Sequence, residues 1–141
     1  MTGSQAKDWA KLEAPSRDDI EILSRRALKI LPQTFRKLCE DVVVRVEEFP
    51  SRDVLSEFGI EDEFGLLGLF QGVGLAQGGG EPPTGALPNM VYLYRRPILD
   101  YWSEHHETLG AIVTHVLVHE IGHHFGLSDE DMAKIEAEAK P

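Results

Sequence analysis

The chain has little cysteine and no long apolar run, and each absence restricts what it can be. Cys39 is the only cysteine among 141 residues, so no intramolecular disulfide can form. No stretch of about 18 consecutive apolar residues is present, which a membrane-spanning helix would need. The N-terminal MTGSQAKDWAKLEAPSRDD is polar and lacks the apolar core of a secretory signal. These absences predict a cytoplasmic protein that does not contact a membrane.

Basic residues are scarce relative to acidic ones. Lysine and arginine number 14 against 24 aspartates and glutamates, which gives a formal net charge of −10. This balance opposes binding to nucleic acid or anionic membranes through bulk electrostatics. A length of 141 residues suits one domain with one hydrophobic core. We predict that residues 1–15 form a poorly ordered arm and that residues 16–141 form a single domain.

Hydrophobic periodicity predicts helices in the N-terminal and C-terminal parts and strands between them. Apolar residues at three- and four-residue steps predict an amphipathic helix over residues 20–31. Pro32 either interrupts that helix or begins a second piece, because proline clashes with a continuing helical turn. Residues 42–46 and 90–94 are rich in β-branched and aromatic side chains and predict two strands.

A glycine-rich segment, LLGLFQGVGL at residues 66–75, predicts a third strand over residues 66–74. Glycine weakens a strand unless some backbone approaches closely, so the segment is either a bulged or edge strand or an open shelf beside a binding cleft. The AQGGGEPPTGALPN loop follows at residues 76–89. A loop of this length is mobile or functional, which makes it either a flap over the cleft or a passive hairpin connector.

The segment HEIGHHFGLSD, residues 119–129, concentrates potential metal ligands within an apolar region predicted to be a buried helix over residues 108–125. His119 and His123 are four residues apart, so a helix places their Cβ atoms about 5–6 Å apart on one face. Two imidazoles in this arrangement can bind one zinc ion at about 2.0–2.1 Å. Burying them in an apolar helix is costly without compensation, and a metal ion is the simplest compensation.

Residues around this histidine pair supply the rest of a catalytic site. Glu120 is placed to act as general base towards a metal-activated water. Gly126 lets the chain turn after the helix, so Asp129 can provide a third ligand. Three protein ligands leave a position for water, which is the arrangement of a catalytic zinc site.

Two other histidines compete with Asp129 for the role of third ligand. Successive helical residues advance by about 100°, so His124 projects away from the His119–His123 face and is predicted to pack or hydrogen-bond near the surface. His115 is on the correct stripe but lies about 12 Å along the axis from His123. We therefore interpret His115 as a buried or supporting histidine.

The pattern H-E-x-x-H-x-x-G-x-x-D resembles the zincin motif in its metzincin-like form, with aspartate where many members have histidine. LLGLFQGVGL, LPNMVYLYRRPI and VLVHEIGHHFGLSDEDM together resemble the small bacterial zincin-like metallopeptidase family over roughly residues 20–139. The resemblance implies an α+β fold, a minimal zincin in which a small mixed sheet packs against the active-site helix and further helices. It also implies Zn²⁺ and peptidase activity. Met132 lies too close to Asp129 to be the Met-turn methionine of larger metzincins.

The resulting hypothesis is a zinc-dependent metallopeptidase. Zinc would be held by His119, His123 and Asp129, and Glu120 would pass a proton from water to the leaving amine. A peptide or protein substrate would bind in extended form along the strand at 66–74, pairing as an added strand. Two alternatives stay open. One is a zinc-binding interaction or chaperone-like module with little or no proteolytic activity, marked by a fourth protein ligand. The other is a zinc hydrolase for a non-peptide amide or ester.

Overall fold

Six helices and three strands make up most of the described part of the chain, which confirms the predicted α+β class. The structure is a computed structural model that describes residues 7–72 and 89–139. In chain order, the helices and strands are α1 (Arg17–Ile30), α2 (Gln33–Leu38), β1 (Val42–Glu47), α3 (Arg52–Glu57), β2 (Gly68–Gln71), β3 (Asn89–Tyr94), α4 (Arg95–Glu104), α5 (Leu109–His124) and α6 (Asp129–Glu138). Short 3-10 helices occupy Trp9–Lys11 and Glu63–Gly65.

The three strands form one mixed sheet in the order β1-β3-β2. β1 runs parallel to β3, with Val44 opposite Val91. β2 runs antiparallel to β3, with Leu69 opposite Tyr92. Within the described residues, β2 therefore has one paired edge and one free edge. The predicted small mixed sheet is confirmed.

Local sequence signals set the ends of the first two helices. Ser16 caps α1, since its side chain accepts from the backbone N–H of Asp19 and the Asp19 carboxylate accepts from Ser16 N–H. The helix ends at Ile30, and Pro32 is the N-cap of α2. Of the two roles considered for Pro32, the structure shows the start of a second helical piece.

Within the described residues, the glycine-rich strand is shorter than its sequence suggests. β2 covers Gly68–Gln71, so residues 66, 67 and 72 of the predicted 66–74 strand lie outside it. Residues 73–88 lie outside the described part of the chain, and with them all of the predicted flap except Asn89.

Pro15, the last residue of the predicted N-terminal arm, accepts a hydrogen bond from the folded core. Arg95 Nε donates a hydrogen bond of 2.6 Å to the carbonyl oxygen of Pro15. The same guanidinium lies 2.9 Å from a carboxylate oxygen of Glu48. Arg95 therefore ties the start of α1 to the junction between β3 and α4. The division into an arm and one domain stays a prediction.

Helix α5 is the centre of the hydrophobic core. Val113, Leu117 and Ile121 are fully buried on it, and the helix packs against α1, α4, α6 and the sheet. The predicted buried helix over residues 108–125 is confirmed as α5, although one stripe of the helix reaches solvent. That stripe follows the four-residue step of the helix and carries Ala111, His115 and His123 as exposed residues. In the described ranges, no helix is both long and apolar enough to cross a membrane.

Candidate metal centre

A tight turn between α5 and α6 positions the residues after the histidines. Gly126 has φ of +80°, a left-handed backbone conformation that residues other than glycine rarely adopt. Its N–H donates to the carbonyl of His123 at 3.1 Å, and the N–H of Leu127 donates to the carbonyl of Gly122 at 2.8 Å. These two bonds form a Schellman motif. The predicted helix stop at Gly126 is confirmed.

Helix α6 begins directly after that turn. The Ser128 side chain accepts from the N–H of Asp131, and the Asp131 carboxylate accepts from the N–H of Ser128, so a capping box closes the first turn of α6. Asp129 is the first residue of this helix. The turn and the cap together fix where the Asp129 backbone lies relative to the end of α5.

The structure brings the three predicted metal ligands together. His119, His123 and Asp129 each offer one ligand atom, and these atoms lie within 4.8 Å of one another. His123 Nε2 is 3.5 Å from Asp129 Oδ1. Zinc with bonds of about 2.0–2.2 Å needs donor atoms about 3.3–3.6 Å apart in a tetrahedral arrangement. The His123–Asp129 pair already meets that spacing, and small side-chain rotations would bring in His119.

The protonation state of His119 suits a metal ligand. Burial lowers the pKa of His119 below its ordinary value, and repulsion from His115 adds to this, although the Glu136 carboxylate opposes it. An imidazole must be neutral to bind a metal. The His123 and Asp129 side chains are 61% and 88% exposed, so both can rotate freely towards an ion. Two imidazoles and a carboxylate form a donor set that zinc accepts.

Glu120 occupies a different environment from the exposed ligands. Burial raises the pKa of its carboxyl, and the His123 imidazole and the backbone N–H of Phe70 oppose that rise. The close approach of β2 produces this burial, since a Cβ atom at Gly68 would lie 3.5 Å from Glu120 Cγ. A carboxyl group with a raised pKa holds and releases a proton closer to neutral pH, as a general base requires.

A cavity of about 410 Å³ opens beside these groups. His119 and Glu120 line one side, the Leu66–Gly68 segment before and within β2 lines another, and Tyr101 and Glu107 complete the wall. A larger cavity of about 560 Å³ lies between α1, α5 and α6, where apolar side chains such as Leu23 and Ile30 dominate the wall. It contains neither His119 nor Glu120, so we place the candidate site at the smaller one.

The two histidines that compete with Asp129 as third ligand have different surroundings. His124 stacks on Phe70 of β2, with ring centroids 3.8 Å apart, which agrees with the predicted packing role. Its Nε2 is buried and has no hydrogen-bond partner among residues 7–72 and 89–139, and burial lowers the pKa of the imidazole. Of the two roles considered for His115, burial is wrong, and a supporting role beside His119, whose ring centroid is 3.9 Å away, stays a prediction. The His115 side chain is 55% exposed, because four-residue spacing keeps it on the solvent stripe with His123.

Glu136 was missed by the sequence reasoning, although it contacts two of the histidines. Its Oε1 is 2.8 Å from His115 Nδ1, and its Oε2 is 3.5 Å from His119 Nε2. Glu136 is one of several glutamates in the last helix, and no local motif distinguishes it. The one feature of the sequence that could have indicated Glu136 is its spacing of four residues from Met132, because Met132 is buried and faces α5.

The comparison with protein families agrees with this fold. A family model described as zincin-like metallopeptidase matches residues 39–139, which is most of the chain. The chain therefore belongs to the zincin-like metallopeptidase family, and the resemblance noted from the sequence motifs is confirmed. Membership in this family implies a metal, typically zinc, and a hydrolase. A search of curated proteins finds no match to the chain.

Proposed function

We propose that the protein is a zinc-dependent peptidase in which His119, His123 and Asp129 hold the metal and Glu120 is the general base. The observation that carries the proposal is the contrast between the ligands and the base. The outer ligands are exposed and able to close on an ion, whereas Glu120 is partly buried against β2 with a raised pKa. Family membership supports the same reaction class.

The chain's own residues divide the catalytic work. A bound zinc ion would supply Lewis acidity, polarising a carbonyl and lowering the pKa of water. Glu120 takes the proton of the attacking water on a carboxylate oxygen and delivers it to the amine nitrogen that leaves. Burial of Glu120 suits this exchange, because raising the pKa of the carboxyl brings it closer to neutral pH, where one group can accept a proton and then release it. β2 packs close to Glu120 at Gly68, which shields one side of the carboxyl from bulk water.

The free edge of β2 is the proposed place for an extended substrate. β2 pairs with β3 on one side only within the described residues, and Gly68 at its start lines the same cavity as Glu120. A peptide that paired with this edge would gain backbone hydrogen bonds and would run past the cavity. Peptide bonds are thus the proposed substrate class, ahead of other amides and esters.

The experiment compares the parent protein with Glu120→Gln, using zinc-loaded protein and a library of unstructured fluorogenic peptides. We expect Glu120→Gln to bind zinc with unchanged affinity, because Glu120 is not a ligand, and to lose hydrolysis. General base catalysis typically contributes about 10²–10⁴-fold in rate. Zinc content by elemental analysis and turnover of the best peptide are measured on the same samples.

Glu104→Gln is the matched control, since Glu104 is an exposed glutamate at the end of α4, outside the described residues that line the cavity. It should keep both zinc and turnover. Equal turnover in Glu120→Gln and the parent would remove Glu120 from the mechanism. Failure of the parent to cleave any peptide while it binds zinc tightly would favour the alternative of a zinc-binding interaction module.

A further inference from the structure

A second group of metal-ligating side chains lies one turn earlier on α5. His115, His119 and Glu136 each offer a ligand atom, and these atoms lie within 4.8 Å of one another. The two imidazole rings are 3.9 Å apart between centroids. The Glu136 carboxylate contacts both of them, with one oxygen 2.8 Å from His115 Nδ1 and the other 3.5 Å from His119 Nε2.

The packing of α6 on α5 places Glu136 beside His115 and His119. Met132 is fully buried and faces Gly122 of α5, where a Cβ atom would be only 2.6 Å from Met132 Sδ. Glu136 lies four residues after Met132, so it is on the same face of α6 one turn further along. Its carboxylate therefore points back to the exposed stripe of α5 that carries His115 and His119.

A surface ion pair alone accounts for only part of this geometry. The 2.8 Å contact between His115 and Glu136 is an ordinary hydrogen bond. The 3.5 Å separation of His119 Nε2 from the second carboxylate oxygen is too long for a good hydrogen bond. It matches instead the spacing of about 3.3–3.6 Å between two donors on one tetrahedral zinc ion. All three side chains are partly exposed, so an ion can reach them.

We propose that His115, His119 and Glu136 form a second position for a divalent transition-metal ion, alternative to the set of His119, His123 and Asp129. Two imidazoles and a carboxylate favour zinc or cobalt over magnesium or calcium, which prefer oxygen-only ligands. An ion at this position would take the place of the hydrogen bond between His115 Nδ1 and Glu136 Oε1. The neutral imidazole would then carry its proton on Nε2 and present the Nδ1 lone pair, and the two atoms would separate by about half an ångström to reach metal-ligand spacing.

The two positions exclude each other because they share His119. A neutral imidazole has one nitrogen with a free lone pair, so His119 serves one ion at a time. An ion held by His115 and Glu136 withdraws His119 from the other set. The chain therefore binds about one ion, distributed between two overlapping ligand sets, and the distribution depends on which outer ligands are intact.

Zinc affinity of single and double variants tests this arrangement by calorimetry and by competition with a chromophoric chelator. Asp129→Ala disables the first set alone, and His115→Ala disables the second set alone. Each single variant should keep a zinc site, because the other set is intact. The double variant should bind zinc at least about tenfold more weakly than either single variant. Cobalt absorption spectra of the single variants should differ, since their ligands differ.

Exposed residues outside both sets provide matched controls. His106→Ala controls for loss of an imidazole, and Glu130→Ala controls for loss of a carboxylate at the start of α6. Neither should change zinc affinity in the Asp129→Ala background. Far-UV circular dichroism and thermal unfolding verify that each variant folds.

One result would contradict the second metal position, and another would contradict the ligand set of the proposed peptidase. If adding either His115→Ala or Glu136→Gln to Asp129→Ala changes zinc affinity by less than about threefold, the second position does not exist. If instead Asp129→Ala has no effect in the His115→Ala background, the second position survives and the ligand set of the proposed peptidase is wrong. Using both His115→Ala and Glu136→Gln keeps the test decisive when one variant fails to fold.

Discussion

Two glycines on the same helix allow the docking of α6 on α5 to be tested directly. Gly110 and Gly122 both belong to α5, so alanine at either position gains helix propensity of up to about 1 kcal/mol. The surroundings of the added methyl differ. At Gly110 no atom of the described residues lies within 4 Å of a Cβ atom, whereas at Gly122 the Sδ and Cγ atoms of Met132 lie 2.6 Å and 2.9 Å away.

The close contact at Gly122 should make the alanine variant less stable to unfolding. Carbon and sulfur atoms pack best at about 3.5–4.0 Å, so the methyl overlaps Met132 by about 1 Å. Met132 is fully buried and cannot swing into solvent. Overpacking of this kind costs about 1–3 kcal/mol. Because both substitutions gain similar propensity, Gly122→Ala should be less stable than Gly110→Ala by about 1–3 kcal/mol.

Urea denaturation in the presence of a chelator measures this difference without a contribution from metal binding. Both unfolding curves should have the same slope and different midpoints, since the surface exposed on unfolding is nearly the same. Zinc affinity, measured separately, should fall in Gly122→Ala because α6 carries Asp129, and should not change in Gly110→Ala. Stabilities of the two variants within about 0.5 kcal/mol of each other would refute the proposed packing of Met132 under Gly122.

Two further predictions concern the approach of β2 and the buried thiol. Gly68→Ala places a methyl 2.6 Å from Val116 Cγ1 and 3.5 Å from Glu120 Cγ. The variant should therefore be less stable by about 1–3 kcal/mol and should turn over peptides more slowly, while its zinc affinity stays at the parent value. An unchanged urea midpoint and unchanged turnover would contradict the close packing. Burial raises the pKa of Cys39 to about 12, so iodoacetamide at pH 8 should label it only after unfolding, and rapid labelling of the native protein would contradict its burial. The unfolded thiol ionises near its ordinary value of about 8.5, so this group's stabilising contribution should be complete below that pH and disappear as pH rises towards 12.

Local signals explain why much of the site could be predicted from the sequence. Thr108 caps α5, and Gly126 ends it in a left-handed turn, the latter as expected from residue type. Ser128 and Asp131 form the capping box of α6. These features depend on residues within a few positions of each other. They also fix the path from His123 to Asp129, so the proximity of these two side chains followed from short-range geometry.

Long-range packing explains what could not be predicted. The sequence around His115 is apolar, and the surrounding valines and leucines suggested burial on every face. The actual exposure of His115 depends on which faces of α5 meet α1, the sheet and α6, and no local pattern states this. The same holds for Glu136, whose partners lie about twenty residues earlier in the chain. Glu136 can be placed beside His115 and His119 only once the packing of Met132 against α5 has fixed the rotation of α6 about its own axis.

The same periodicities that build the core also produce the two overlapping groups of potential metal ligands. His115, His119 and His123 repeat at four residues, so the exposed stripe of α5 contains two successive histidine pairs that share the middle ring. His115 and His123 are about 12 Å apart along α5, and Asp129 and Glu136 are about 10.5 Å apart along α6. Asp129 approaches His123 and Glu136 approaches His115, which means that the two helices run in opposite directions with matched spacing. A helix pair with this register offers one carboxylate to each histidine pair, so a change in helix docking shifts both sets together.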